Sequence, residues 1–277
     1  MSVDLTMFDE AFGCTGGTGR QPYLELLSWI ADQDFRKLCK QSLQAEELFR
    51  RIGITFNVYG DNDGEERIIP FDLFPRIISA HEWSRLERGI IQRVAAINAF
   101  LSDIYHRQEI VRSGIIPSDL INRNDAFLPQ MCGFTPPGNI YTHIVGVDIV
   151  RTGPDEFFVL EDNARVPSGV SYMIENRATM LQMFPELFAN HRIRTVSDYP
   201  KQLFQSLTES ARSFIDDPNV AVLTPGIFNS AYYEHSFLAD EMGVDLLEGS
   251  DLEVRDGRVI IRKNAGTSPV DAIYRRI

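Results

Sequence analysis

The strongest constraint on the fold of this chain lies between residues 143 and 169. HIVGVDIV (143–150) and EFFVLEDN (156–163) are two β-rich runs, and Thr152, Gly153, Pro154 and Asp155 between them are turn residues. An antiparallel pair is predicted. With Arg151 opposite Glu156, Asp148 falls opposite Val159 and Gly146 opposite Glu161. Side chains alternate across a strand, so Asp148, Glu161 and Asn163 then share one face and Asp162 takes the other. Gly146, with no side chain, leaves room beside Glu161. The grouping depends on register, because a slip of one residue turns a whole strand over. Three oxygen-bearing side chains on one face suit Mg²⁺, and Mg²⁺ held by few protein groups usually bridges a nucleotide's phosphates. The alternative is that Glu161 and Asp162 are solvated residues at a strand end, where acidic side chains mostly lie.

Composition narrows the class. The chain has 277 residues, 44% hydrophobic and 24% charged, which is a globular composition with enough length for one large or two ordinary domains. A net charge of −12 argues against generic nucleic-acid binding, which needs a basic surface. Cys14, Cys39 and Cys132 are odd in number and widely spaced, so neither a disulfide framework nor a zinc site is indicated. The acidic start MSVDLTMFDE is not a secretory signal, and no apolar run reaches the length of a membrane span. A cytoplasmic protein without membrane partners is expected.

Along the chain, residues 1–22 read as an extended arm. Its run GCTGGTGR (13–20) lacks the Gly-Lys-Ser/Thr ending of a phosphate loop and the third glycine of a dinucleotide fingerprint, so it reads as a connector. Two helical pieces follow, LELLSWIA and FRKLCKQSLQAEELFR. Strands at 53–59 and 67–69 flank the turn signal Gly60, Asp61, Asn62, Asp63 and Gly64, whose spacing is not that of a calcium loop. In 82–108, Trp83, Leu86, Ile90, Val94, Ile97, Leu101 and Tyr105 form a helical stripe expected to face a core. A short helix or a loop is expected at 117–122. A further helix, over 171–183, starts just beyond Pro167, Ser168 and Gly169, where its N-terminus would aim backbone N–H groups at an anion.

The character changes near residue 195. A helix at 198–214, the continuous apolar run NVAVLTPG (219–226), a helix at 230–242 and a strand at 244–247 predict a β-α-β unit with a buried parallel strand. Residues 251–262 read as a hairpin turning at Asp256 and Gly257, and 272–277 (AIYRRI) as a last strand. One such unit and one hairpin do not fill an α/β layer, so the ending reads as abrupt. Asn229 and Ser230, between strand and helix at the edge where α/β sheets bind ligands, are candidate substrate contacts, with helix capping by Ser230 as the alternative. His235 is read as structural; His81, His106, His143 and His191 show no metal spacing.

ITFNVYGD, ERIIPFDLFPRII, EWSRLERGIIQR, FLSDIYH, VLEDNARVPSGVSYMIENR, TPGIFNSAYYEHSFLA and VDAIYRRI occur in this order. Together they resemble the circularly permuted ATP-grasp proteins, which are related to the ATP-grasp half of glutathionylspermidine synthases. The likeness runs from about Met7 to Ile277. It implies a mixed α+β and α/β fold: a permuted ATP-grasp β-subdomain with helices over 23–195, following the arm 1–22, and the start of a Rossmann-like β-α-β domain over 196–277. It implies ATP and Mg²⁺ as cofactors, with Asp148, Glu161 and Asn163 as metal ligands. The related synthases carry an arginine two residues before the first metal aspartate; here that position is Gly146, and Arg165 or Arg177 is the candidate to supply the charge, with helix-cap or salt-bridge roles for both as the alternative. Relatives also continue beyond the VDAIYRRI block, so the resemblance implies a truncated version.

The chemistry implied is that of a carboxylate–amine ligase working through an acyl phosphate, with small-molecule or peptide carboxylates and amines as substrates. Arg165 would stabilise developing charge; Ser168, Gly169 and Arg177 would bind the cofactor's phosphates or a carboxylate. The competing reading is a catalytically silent fragment that binds a partner or a separate C-terminal half. A hydrolase built on an acidic pair would leave Asn163 unused.

Overall fold

The structure, a computed structural model, describes residues 8–13, 19–57, 66–189, 191–212, 214–263 and 266–277. In chain order the helices are α1 (Leu24–Ala31), α2 (Phe35–Ile52), α3 (Ala80–Ile104), α4 (Glu109–Arg112), α5 (Ser118–Asn122), α6 (Val170–Met183), α7 (Pro185–Ala189), α8 (Tyr199–Ala211) and α9 (Tyr232–Met242). The strands are β1 (Thr55–Asn57), β2 (Glu66–Ile68), β3 (Gly146–Arg151), β4 (Phe157–Asn163), β5 (Val220–Leu223), β6 (Asp245–Leu247), β7 (Leu252–Arg255), β8 (Arg258–Lys263), β9 (Gly266–Pro269) and β10 (Ala272–Arg275). They fold into two compact units that interleave in sequence. One comprises 1–78, 151–156 and 168–277, the other 79–150 and 157–167.

The second unit is organised by α3. Ser79 Oγ accepts the Glu82 N–H at 3.2 Å while Glu82 Oε2 accepts the Ser79 N–H at 2.9 Å, a reciprocal cap that satisfies two donors at the helix start. The expected stripe has the right period but is only half-buried at Leu86, Ile90, Val94, Ile97 and Leu101, and Trp83 is exposed. Full burial begins at the other end, where Ile104, Tyr105 and Ile121 form a core and Tyr105 stacks on Phe127 with ring centroids 5.0 Å apart. Asn98 on α3 takes the Tyr141 and Thr142 N–H groups on its Oδ1 at 2.7 and 3.1 Å, and Thr142 Oγ1 donates to the Ala164 carbonyl at 2.8 Å. The entry to β3 and the exit from β4 are therefore pinned to one helix. β3 and β4 pair as a two-stranded sheet.

Gly146, the first residue of β3, sits where a side chain does not fit. A Cβ there would lie 2.9 Å from Pro167 Cβ and 3.6 Å from Asn163 Cβ. Its neighbour is thus Asn163 rather than the expected Glu161.

In the first unit, α2 shows how local chemistry sets an element. Asp34 accepts the Arg36 N–H at 2.8 Å at its start, and Gly53 ends it in the left-handed region at φ 81°. Leu38, Ala45 and Phe49 on one face join Ile54, Phe71, Met180 and Phe184 in a core. The arm residues 8–13 are tied in: Asp9 and Gly13 bridge, and Glu10 forms an ion pair with Arg76. The turn signal at 60–64 and residues 14–18 of the glycine-rich run lie outside the described residues.

β10, β5 and β6 form a parallel sheet in that order, so the middle strand is the apolar β5. Val220, Ala221 and Val222 are buried, with α8 packed on β5 and β10 and α9 on β5 and β6. The predicted β-α-β unit is present. The hairpin β7–β8 turns at Asp256 and Gly257, both left-handed at φ 52° and 75°, which suits the twist of two paired strands. β9 adds a third antiparallel strand that the sequence reading had not expected. Among the described residues no helix is long and apolar enough to cross a membrane.

His235 on α9 is 1% exposed and its Nδ1 lies 2.8 Å from Thr224 Oγ1 at the end of β5. Burial, reinforced by the positive charge of Arg276, pushes it down from 6.5 to about 4. A group with a depressed folded pKa takes up protons more readily when unfolded, so its neutral form stabilises the fold above about pH 6.5. That contribution is lost as pH falls toward 4, at up to about 1.4 kcal/mol per pH unit. Denaturant titrations at pH 7 and pH 5 should show this loss in the wild type and a visibly flatter profile in His235→Asn, which does not titrate. The two glycines of the second unit give a paired expectation. Gly146→Ala should lower stability by roughly 1–3 kcal/mol through overpacking against Pro167. Gly89→Ala, inside α3 with open space around it, should raise it by roughly 0.5–1 kcal/mol. Unfolding midpoints of the two variants with the same sign of change would contradict this account.

Candidate functional site

β4 carries the residues of interest on alternate faces. Asn163 Nδ2 donates to Glu161 Oε1 at 3.0 Å, so these two side chains project together. Asp162 points the other way and is held by Arg93 of α3, whose Nε lies 2.8 Å from both carboxylate oxygens. That guanidinium lowers the Asp162 pKa. Asp162 is engaged structurally, and strand parity had assigned it to the opposite face.

Asp148 is exposed on β3, two residues along from Gly146. The side-chain direction of Gly146 meets Asn163, and alternation along β3 puts Asp148 on that same face. Asp148, Glu161 and Asn163 are all exposed. The donor set is two carboxylates and one amide oxygen, which fits a hard divalent cation. The bond from Asn163 Nδ2 turns the amide so that its oxygen remains available. Among the described residues there is no group of three or more His, Cys, Asp and Glu that could hold a metal; the set here relies on Asn163 as its third member. Arg165, two residues past β4, is exposed.

In the first unit Ser168, Gly169, Arg177 and Asn229 are engaged within the chain. Gly169 stands before α6 in the left-handed region at φ 116° and provides no side-chain cap. The anion expected at this helix start is the chain's own Glu234. Its Oε2 accepts the Gly169 N–H at 2.7 Å, the Ser171 N–H at 3.1 Å and the Ser171 hydroxyl at 3.0 Å. Its Oε1 accepts from Arg276 Nη2 at 2.9 Å, and the same nitrogen donates to Ser168 Oγ at 2.7 Å. Glu234 and Arg276 are 0% and 2% exposed. The expectation of N–H groups left free for an external anion is therefore corrected: a buried carboxylate takes them. Arg177 Nη1 donates to the Arg194 carbonyl at 3.0 Å, which ties α6 to the segment before α8.

Asn229 and Ser230 lie past the C-terminal end of β5. Asn229 Oδ1 accepts the Ala231 N–H at 2.9 Å, and the α9 N-cap is Ala231 with no side-chain bond. Asn229 shapes this turn, and capping by Ser230 is not found.

Sequence reasoning missed Glu234 and Arg276 as a pair. The available signal was weak: a glutamate one helical turn before the buried Leu238, and an arginine ending an apolar strand.

The comparisons with known proteins agree with one another. A family model described as a circularly permuted ATP-grasp matches residues 75–277. An uncharacterised protein of Mycobacterium tuberculosis is 48% identical over 270 residues, covering 98% of this chain and 48% of that protein. A putative glutamate–cysteine ligase of Frankia casuarinae is 42% identical over 228 residues, covering 81% of this chain and 26% of that protein. The chain spans about half the length of the first of these relatives. A glutathione synthetase-like effector of Globodera pallida, solved in its apo form, shares the fold at a TM-score of 0.56 and 13% identity, over 89% of this chain and 59% of that one. Asp148, Glu161 and Asn163 all fall inside the matched region, which is well over half of the sequence. The chain belongs to the circularly permuted ATP-grasp family.

Proposed function

We propose that this chain carries the metal-binding strands of an ATP-dependent carboxylate–amine ligase. The observation that carries the reading is the exposed set Asp148, Glu161 and Asn163 on β3 and β4, with Glu161 and Asn163 in direct contact and Asp162 drawn away by Arg93. The family, and the glutamate–cysteine ligase name borne by two relatives, support ATP-dependent ligation as the reaction class.

On this reading a carboxylate oxygen of the substrate attacks the γ-phosphorus of ATP, forming an acyl phosphate and releasing ADP. An amine then attacks the acyl carbon, the new C–N bond forms, and phosphate leaves. Mg²⁺ bound by Asp148, Glu161 and Asn163 would supply neutralisation of the phosphate oxygens, the main electrostatic demand of phosphoryl transfer. Arg165, exposed just past β4, would bring a positive charge to the transferred group. Gly146 leaves the arginine position of the related synthases empty, and the tight contact with Pro167 gives a steric reason why. Asn229 and Ser230 are the candidate substrate contacts at the end of β5. Ser168 and Gly169 would act by holding the loop shape, since their polar groups are already engaged, and Arg177 by anchoring α6.

The alternative is a chain that performs no turnover by itself and works with a separate C-terminal half. This chain spans about half the length of the M. tuberculosis relative. Measuring ADP release with and without added amines separates the two readings.

The metal assignment has its own test. Mn²⁺ binding, followed by electron paramagnetic resonance as a probe of the Mg²⁺ site, should weaken by more than about tenfold in Glu161→Gln, since losses even outside the ligand shell reach that size. Asp162→Asn should leave the affinity unchanged. Equal binding by wild type and Glu161→Gln would remove these residues from the metal site.

A further inference from the structure

The start of α6 has the composition of an anion site, and the molecule fills it from a distance. Gly169 and Ser171 present two backbone N–H groups, Ser171 adds its hydroxyl, and Arg276 adds a guanidinium nitrogen. All four donors converge on one carboxylate, that of Glu234, which lies 65 residues from Gly169 and 42 from Arg276 in sequence. Ser171 and Glu234 are both 0% exposed. Arg276 further donates to Ser168 Oγ at 2.7 Å and to the Tyr274 hydroxyl at 3.0 Å, and its guanidinium lies 5.3 Å over the Tyr274 ring. The helix has no cap of its own here, because its N-cap residue is a glycine.

We propose that the turn 168–171 is a carboxylate-class anion site whose ligand is the side chain of Glu234, locked in place by Arg276. The donors that a phosphate or substrate carboxylate would use at this helix start are closed to outside anions. The role of the pair is to preset the turn: α9 contributes the anion, the end of β10 contributes the cation, and the loop between β4 and α6 is shaped before any ligand arrives. Both are positioning residues. The inference does not depend on the ligase reading, since it concerns only donors and acceptors within the first unit.

Removal of the internal ligand should leave a vacancy that small anions fill. The full chain and its Glu234→Ala variant are to be titrated with sodium formate, chloride being exchanged to hold ionic strength constant, while the melting temperature is followed. Glu234→Ala is expected to melt roughly 10 °C lower, as loss of one partner of a buried pair does in a protein of this size. Formate should recover a large part of that loss along a saturating curve and leave the wild type unmoved. A folded Glu234→Ala without a saturable response, or an equal response in the wild type, would overturn the proposal. If Glu234→Ala folds only in formate, that result supports it; if it folds in neither salt, the decision passes to amide exchange in Glu234→Gln. There the Gly169 and Ser171 amides should exchange at least about tenfold faster than in the wild type, with the amides of β7 and β8 unchanged; a 1.4 kcal/mol weakening suffices for tenfold. Unchanged protection at Gly169 and Ser171 would overturn the proposal.

Discussion

The buried pair of Glu234 and Arg276 is the interaction on which the order of the first unit depends. Removing two charges from water costs several kcal/mol each, and mutual attraction offsets this only when the remaining donors and acceptors are also satisfied. Here Glu234 receives four hydrogen bonds and Arg276 distributes its own among Glu234, Ser168 and Tyr274. Such a pair tolerates few alternative arrangements. If α9 shifts by one residue, Glu234 turns away from the α6 start; if β10 slips by one, Arg276 leaves the carboxylate. Apolar packing around β5 opposes the same slip of β10, because it would turn the buried Ala272 to the other face of the strand. The charge pair adds a directional constraint on register to the one that the apolar pattern already sets.

The parts of the fold that were legible in the sequence are those governed by local periodicity or by a turn residue. α1 and α2 lie where their apolar spacing put them, and the β7–β8 hairpin turns at the two residues whose left-handed conformation the motif requires. β5 reads as buried because it is apolar without alternation, which is what coverage on both faces demands. The α3 stripe shows the limit of this reasoning. Period fixes which residues share a face, but not what covers the face, and most of the stripe is only half-buried. β9 does not show in the sequence because Gly266 and Pro269 are depleted in strands and only Thr267 favours one; pairing with β8 makes the segment a strand.

The candidate metal face was legible for a geometric reason. Alternation along one strand needs no knowledge of the rest of the molecule, so Glu161 and Asn163 could be grouped and Asp162 excluded from spacing alone. What spacing could not supply was the exact neighbour across the pair, and the structure sets Asn163, not Glu161, beside Gly146. Nor could it supply Arg93, which is 69 residues from Asp162 in sequence and gives the excluded carboxylate its partner. Asn98 was equally invisible. One amide on α3 holds the chain just before β3, and through Thr142 it reaches the residue following β4. The scaffold of the candidate face is a helix with which it shares no sequence proximity.

The Pro-Ser-Gly loop departs furthest from what its sequence leads one to expect, for a general reason. A helix start preceded by glycine advertises unpaired N–H groups, and a sequence offers no way to tell whether their acceptor comes from solvent, from a ligand or from the same chain. The donors at 169 and 171 needed an acceptor in any case, since buried N–H groups without partners are rarely tolerated. Glu234 answers that need at a separation of more than sixty residues, and by doing so it converts a region that looks like a binding loop into a joint between α6, α9 and β10. Arg276 makes the joint two-sided: it grips the carboxylate and the Ser168 hydroxyl with the same nitrogen. A charge that ends a strand reads in sequence as a solvated terminus. In the folded chain the same residue closes the loop that precedes α6.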